Sequence, residues 1–301
     1  MDDVTNARAA SSPVSLLLQT HIHMLADRIG ERNIWRHAAL AEAADYISTA
    51  FADAGYEPLR QWYDVARLPV SNIEATLHGT SQSDEIVVLG AHYDTVNGCP
   101  GANDNATGVA ALLELARRLA TRRYVRTLRF VAFVNEEPPF FKTARMGSVV
   151  YANAAKVRGD RIVGMLALET MGYYSDMRGS QRYPAALGRF YPDVGNFIGF
   201  VANVRSARLL MKARRAFSRR ISFPVQAAAV PGAIPGVGWS DHWAFWQAGY
   251  PAMMITDTAP FRYPWYHTPE DTADKVSPEK LAEIVEGLES VATELAGRTR
   301  N

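Results

Sequence analysis

The chain has 301 residues, 48% hydrophobic and 21% charged, a composition that buries a sizeable core and excludes collagen, coiled coil and wholesale disorder. Thirty-two Lys and Arg against 31 Asp and Glu leave a formal charge of +1. No global field therefore draws nucleic acid or an anionic membrane, and neither is expected as a partner. The single cysteine, Cys99, offers no internal disulfide. The opening residues, with Asp2 and Asp3, lack the basic-then-apolar order of a signal peptide, so the expectation is a cytoplasmic protein. Residues 221–240 form the one long uncharged stretch, but Pro224, Pro231, Pro235 and three glycines interrupt it. That pattern predicts a short strand and a loop on the rim of a pocket instead of a membrane span.

In chain order, Ser12-Pro13 predicts a helix N-terminus, with Leu16, Leu17, His21, Met24 and Leu25 on one stripe. A second stripe runs through Leu40, Ala44, Ile47 and Phe51 to Gly55. Strands are predicted over residues 59–65, 72–78, 85–92 and 127–135, the last two so apolar that both faces must be covered. The helical spacing of Val109, Leu112, Leu113, Ala116 and Leu119 between them makes a βαβ unit. Alternation continues with helices near 147–155, 205–219, 241–247 and 278–296, and strands near 162–169, 197–202, 225–230 and 252–256. No linker interrupts it. The expectation is one α/β domain over residues 1–301, a three-layer sandwich with a mixed, mostly parallel sheet and the helices of residues 1–57 packed on the same body. The basic run from Arg205 to Arg220 holds only Phe217 as an aromatic and reads as a solvated helix face.

Polar groups cluster at the predicted strand ends, the edge where open α/β sheets bind ligands. His92 and Asp94 follow one strand, Asp104 opens a helix, Glu136 and Glu137 follow the next strand, and Glu169 ends another. Singly these have bland readings: a satisfied histidine, an N-cap, a solvated glutamate pair. Together, two adjacent carboxylates after a buried strand with no cation nearby call for a divalent metal.

The ordered motifs GAHYDTV, GANDNATGVAALLELAR, NEE, LETMGYY, SDHWAF and YHTPEDT resemble those of the M28 family of zinc-dependent peptidases, which includes aminopeptidases, and more distantly glutaminyl cyclases. The resemblance implies a zinc-peptidase (phosphorylase/hydrolase-like) fold and a zinc-dependent exopeptidase acting on a peptide or amino-acyl substrate. It implies two zinc ions, or one as in the cyclases. His92 and Glu169 would hold the first, Glu137 and His267 the second, with Asp104 bridging. Glu136 would be the general base, Tyr266 the oxyanion donor, and the Asp104–Asn105 peptide cis. Asp94 reads as the carboxylate orienting His92, and Asp241 as a hydrogen-bonding group near the pocket with Ser240 capping the following helix. The GS element Gly147-Ser148 also matches. Cys99 lies between two of the ligand motifs, but a thiolate is out of keeping with so carboxylate-rich a set.

Glu169 departs from the pattern, since family aminopeptidases usually carry aspartate there and related carboxypeptidases a glutamate. The readings open at this point are an aminopeptidase, a carboxypeptidase, a glutaminyl cyclase-type transferase and a silent peptide-binding protein. No G-x-S-x-G element supports a serine hydrolase. Tyr173, Tyr174, Trp239, Trp243 and Trp246 are candidates for an apolar pocket or for ordinary packing. Neither the oligomeric state nor the preferred side chain is legible.

Overall fold

A computed structural model describes residues 12–184 and 188–299; residues 1–11, and with them most of the segment read against a signal peptide, lie outside this range. Helix α1 (Pro13–His23) begins where expected, the Ser12 hydroxyl accepting the Ser15 N–H at 3.1 Å. Its buried side is Ser15, Leu18 and Ile22, running on to Leu25 in a wider turn over Met24–Ile29. Leu16 and Leu17 are 51% and 38% exposed, so the expected stripe is out of phase. Both series have helical spacing, and the phase is decided by what α1 meets, here the helices over Thr107–Leu119 and Pro278–Ala296. Helix α2 (His37–Asp53) buries Leu40, Ala44, Ile47 and Phe51 as its pattern requires.

Eight strands follow: β1 (Leu59–Val65), β2 (Leu68–Leu77), β3 (Gln82–His92), β4 (Arg126–Phe133), β5 (Arg161–Glu169), β6 (Ile198–Ala202), β7 (Val225–Ala229) and β8 (Ala252–Thr256). They form one mixed sheet in the order β1-β2-β4-β3-β5-β8-β6-β7. The central run β4-β3-β5-β8 is parallel throughout, while β1, β2 and the β8–β6 pairing are antiparallel. Strand β2 starts earlier than predicted because Leu68 pairs with Val65 across a two-residue turn. Ala66 and Arg67 make that turn with φ of 51° and 66°, the mirror-type geometry of tight hairpins, without the glycine or asparagine that announces it.

The remaining helices are α3 (Thr107–Leu119), α4 (Gly147–Arg158), α5 (Ala207–Arg220), α6 (His242–Ala248), α7 (Ala259–Arg262) and α8 (Pro278–Ala296). One apolar cluster joins Leu18, Phe51, Val109, Phe130, Phe217 and Ile284 on one face of the sheet. A second joins Phe133, Tyr151, Met165 and Phe245 on the other, under α4 and α6. The result is the expected three-layer α/β sandwich. On the basic helix α5, Lys212 and Arg219 pair with Glu294 and Arg220 with Glu286, all at exposed positions. No helix among the described residues is long and apolar enough to cross a membrane. Residues 225–229 are indeed a strand, and the proline-rich loop after it forms part of a cavity wall.

Candidate metal centre

The parallel strands β4, β3, β5 and β8 all end at one edge, and the sheet register brings their last residues side by side. His92 ends β3, Glu136 and Glu137 follow β4, and Glu169 ends β5. Asp104 sits in the turn entering α3, and His267 in the loop after α7. Asp104 divides its carboxylate: Oδ1 lies 3.3 Å from His92 Nε2 and Oδ2 lies 3.1 Å from His267 Nε2. His92 Nε2 is also 3.3 Å from Glu169 and 4.0 Å from Glu136, and His267 Nε2 is 3.3 Å from Glu137. Two groups could therefore each hold a metal ion, His92–Asp104–Glu169 and Asp104–Glu137–His267, with a third possibility in His92–Glu136–Glu137. Among the described residues no arginine or lysine reaches ion-pair distance of these carboxylates.

The site passes a direct test of fit. His92 Nε2, both oxygens of Asp104 and His267 Nε2 are buried without a hydrogen-bond partner, although buried polar atoms are nearly always paired. They converge as nitrogen and oxygen donors of the kind zinc takes. Without a cation, protons take its place. Burial opposes charging both imidazoles, yet Glu169 and Glu136 carry His92 well above its ordinary value, and Asp104 and Glu137 push His267 up to about 10. Burial also opposes charge on Asp104, but the two imidazoles hold it far below the carboxylate range. Burial raises Glu136 well above a free glutamate, raises Glu169, and, with Asp104 adding, takes Glu137 to about 7.

The supporting residues differ from expectation in two places. Asp94 does approach His92, its Oδ1 lying 3.6 Å from Nδ1, but Nδ1 is closer to the Asp94 main-chain carbonyl at 3.2 Å. The Asp94 carboxylate instead accepts the main-chain N–H groups of Glu136 and Glu137 at 3.0 and 3.1 Å. One side chain thus tethers two neighbouring strand ends. Ser240 does not cap α6: its hydroxyl donates to Glu169 Oε2 at 2.7 Å, because the helix begins one turn-residue later, at His242. Asp241 is buried at the site and lifted to about 7 by that burial, with the His92 charge and the Ser148 hydroxyl opposing the shift. Asp104 is not an N-cap; Asn105 fills that part by accepting the Gly108 N–H at 3.1 Å. The Asp104–Asn105 peptide is cis. The Cys99 thiol donates to the Thr268 carbonyl, outside every ligand group.

Several supporting residues were not singled out in the sequence. Asp271, within the YHTPEDT motif four residues past His267, accepts the Asn103 N–H at 2.8 Å, the Asp104 N–H at 3.0 Å and the Tyr263 hydroxyl at 2.7 Å. Arg32 is fully buried and donates to the carbonyls of Leu25, Gly30, Tyr93, Pro100 and Gly101. It fastens the loop between the His92 and Asp104 motifs. Asn135, Thr170 and His267 hold φ of 59°, 44° and 58°, a left-handed region that β-branched Thr170 in particular seldom enters. Each flanks or is a member of the cluster, which is where such backbone is retained.

A cavity of about 100 Å³ adjoins the cluster, walled by Phe200, Val237, Trp239 and Phe261 and, on the cluster's side, by Glu169 and Tyr266. At about 10–15 Å³ per water-sized position it has room for one large side chain. The Tyr266 ring stacks on His267 at 3.9 Å, and burial beside Asp104 and Glu137 keeps its phenol protonated. Of the other aromatic candidates, Tyr173 packs on Tyr263 and Trp265, Tyr174 on Phe223, and Trp246 on His242.

A buried set of imidazoles and carboxylates, short of cations and aligned on the carboxyl edge of a parallel sheet beside an apolar cavity, is the arrangement of a metal-dependent hydrolase. The family model described as Peptidase family M28 matches residues 72–292. The chain belongs to that family. It is 37% identical over 280 residues to the uncharacterized protein YfbL of Escherichia coli (strain K12), covering 90% of this chain and 85% of that protein. It is 26% identical over 238 residues to a probable leucine aminopeptidase of Arthroderma otae, covering 75% of this chain but 57% of that protein's length. BSAP, a zinc aminopeptidase from Bacillus subtilis, superposes with a TM-score of 0.75 over 93% of this chain and 95% of its own, at 16% identity, and so shares the fold.

Proposed function

We propose that the protein is a zinc-dependent aminopeptidase that removes amino-terminal residues with apolar side chains from peptides. The division of the Asp104 carboxylate between His92 and His267 carries this reading, because it sets one bridging group between two separate ligand sets. His92 and Glu169 would complete one zinc position, Glu137 and His267 the other. A zinc ion held by these residues would supply Lewis acidity to a scissile carbonyl and a lowered pKa to water. Glu136 takes a proton from the attacking water and returns it to the departing amine. Its main-chain N–H is held by Asp94, so the carboxylate keeps its aim while the neighbouring Glu137 ligates. The protonated Tyr266 hydroxyl donates to the oxyanion. Asp241 supports the cluster from behind. The wall shared by Glu169, Tyr266 and the apolar cavity supports recognition of an apolar side chain beside the scissile bond.

The test pairs zinc analysis with Glu136→Gln. The parent should hold about two zinc equivalents, in keeping with a two-metal centre, and release single residues from free amino termini. The variant should keep the metal and the fold and lose hydrolysis; an active variant removes Glu136 as the base. Release from carboxyl termini alone, or cyclisation of amino-terminal glutamine without hydrolysis, would replace the aminopeptidase reading.

A further inference from the structure

One cation stands beside the cluster and is used by nothing described so far. The loop of residues 138–146 leaves directly from Glu137 and is folded back by its own hydrogen bonds: Phe140 N–H to the Glu137 carbonyl at 2.9 Å, Thr143 N–H to the Phe140 carbonyl at 2.9 Å, and Lys142 N–H to Met146 Sδ at 3.3 Å. At its tip Lys142 holds a left-handed φ of 57°. Its ammonium lies over two aromatic rings, Phe141 at 5.0 Å and Trp243 at 5.2 Å. Trp243 follows Asp241 and His242 at the start of α6, so the contact ties the loop to the rim of the cluster.

Lys142 is exposed, yet among the described residues no carboxylate comes within ion-pair distance of it. Of the other lysines, Lys212 pairs with Glu294 and Lys275 with Asp274, while Lys156 and Lys280 form no ion pair among the described residues. The charges that face it are Glu136, which attracts it, and His242, whose protonation it opposes. Partial burial against the rings lowers its pKa. An ammonium so placed, stripped of part of its water and unpaired, favours an incoming anion. The apolar cavity meets the catalytic groups at Glu169 and Tyr266.

We propose that Lys142 binds the free α-carboxylate of the departing residue, so that the preferred substrates are dipeptides with an apolar amino-terminal side chain. This rests on the hydrolytic reading above. The chemistry agrees with the reach: in a dipeptide the carboxylate lies within about 4 Å of the scissile nitrogen, on the side of the bond away from the apolar cavity. A longer peptide presents a neutral amide at that point and gains nothing from the ammonium. Apolar recognition at one end and charge recognition at the other would select both the residue and the length.

The experiment compares Leu-Gly with its carboxamide, Leu-Gly-NH2, on the zinc-loaded full chain, and in parallel measures by calorimetry the binding of the reduced-amide analogue of each. The parent should favour the free carboxylate by about tenfold or more in kcat/KM, chiefly through KM, and bind the carboxylate analogue about tenfold or more tighter. In Lys142→Met both ratios should fall to near one, and Lys142→Arg should retain them. Equal turnover of the two substrates by the parent, or a preference that survives Lys142→Met, overturns the proposal while leaving hydrolysis intact. Carboxylate-selective binding without turnover upholds Lys142 and rejects the hydrolytic reading. Equal or undetectable binding of the two analogues overturns the proposal as well.

Discussion

Asp271 is the residue through which the geometry of the centre can be tested without touching a ligand. Its carboxylate is fully buried and accepts three hydrogen bonds, two of them from the main chain of Asn103 and Asp104. Asp271→Asn keeps the shape but turns one acceptor oxygen into an NH2 that faces another donor. The loss is one hydrogen bond to a charged group, about 1.5–3 kcal/mol, plus a buried donor left unpaired, about 1–3 kcal/mol, or about 2.5–6 kcal/mol together. With an unfolding entropy near 2.1 cal/mol/K per residue, a chain of this size should lose about 4–9 °C in Tm. The displaced Asp104 main chain should also carry its bridging carboxylate out of register and weaken zinc binding by about 10–100-fold. Melting curves and zinc competition against a chromophoric chelator measure both at about pH 8, where Asp271, raised by burial to about 6, is charged. A variant melting within about 1 °C of the parent and binding zinc as tightly would refute the positioning argument.

Three further outcomes follow from the same geometry. Burial takes Glu137 and Asp241 to about 7, and His267 is pushed to about 10. All three are raised, so the metal-free fold holds protons more tightly than the unfolded chain and loses stability as pH climbs through 7 toward 10. A chelator should then lower the melting temperature more at about pH 8 than at about pH 6 in scanning fluorimetry; the reverse order contradicts the shifts. Arg32→Met leaves five carbonyls without their donor and should cost about 3–5 kcal/mol in denaturant unfolding; a change below about 1 kcal/mol would remove Arg32 as the anchor of the 93–101 loop. Leu18→Ala should cost about 2–5 kcal/mol and Leu16→Ala less than about 0.5 kcal/mol, and equal costs would restore the stripe expected from periodicity alone.

What could be read before folding divides cleanly by range. Strand, helix, strand alternation and the acidic or imidazole residue after a strand are local patterns, so His92, Glu136, Glu137 and Glu169, with Asp104 at a helix start, were legible in the chain, while His267, in a loop, was marked by the resemblance of YHTPEDT to an M28 motif. Features imposed by strand pairing, or by a partner distant in sequence, were not. Ala66-Arg67 gave no sign of a left-handed turn, because neither residue favours positive φ and the antiparallel pairing of β1 with β2, closed by Val65 and Leu68, imposes it. Ser240 and Asp241 look like a helix start, yet Ser240 answers to Glu169, 71 residues away. Arg32 reads as any surface arginine until carbonyls as far off as Gly101 surround it.

Residue type and period alone thus specified an α/β sandwich and the candidate donor residues at its strand ends, since both depend on near neighbours along the chain. Only the folded sheet decided how those donors combine. Parallel register brings four strand ends to one edge, and Asp94, Asp271 and Arg32 lock the loops so that Asp104 faces His92 with one oxygen and His267 with the other. Lys142 shows the same limit: its charge is in the sequence, but its lack of a carboxylate partner among the described residues and its seat on Trp243 exist only in three dimensions.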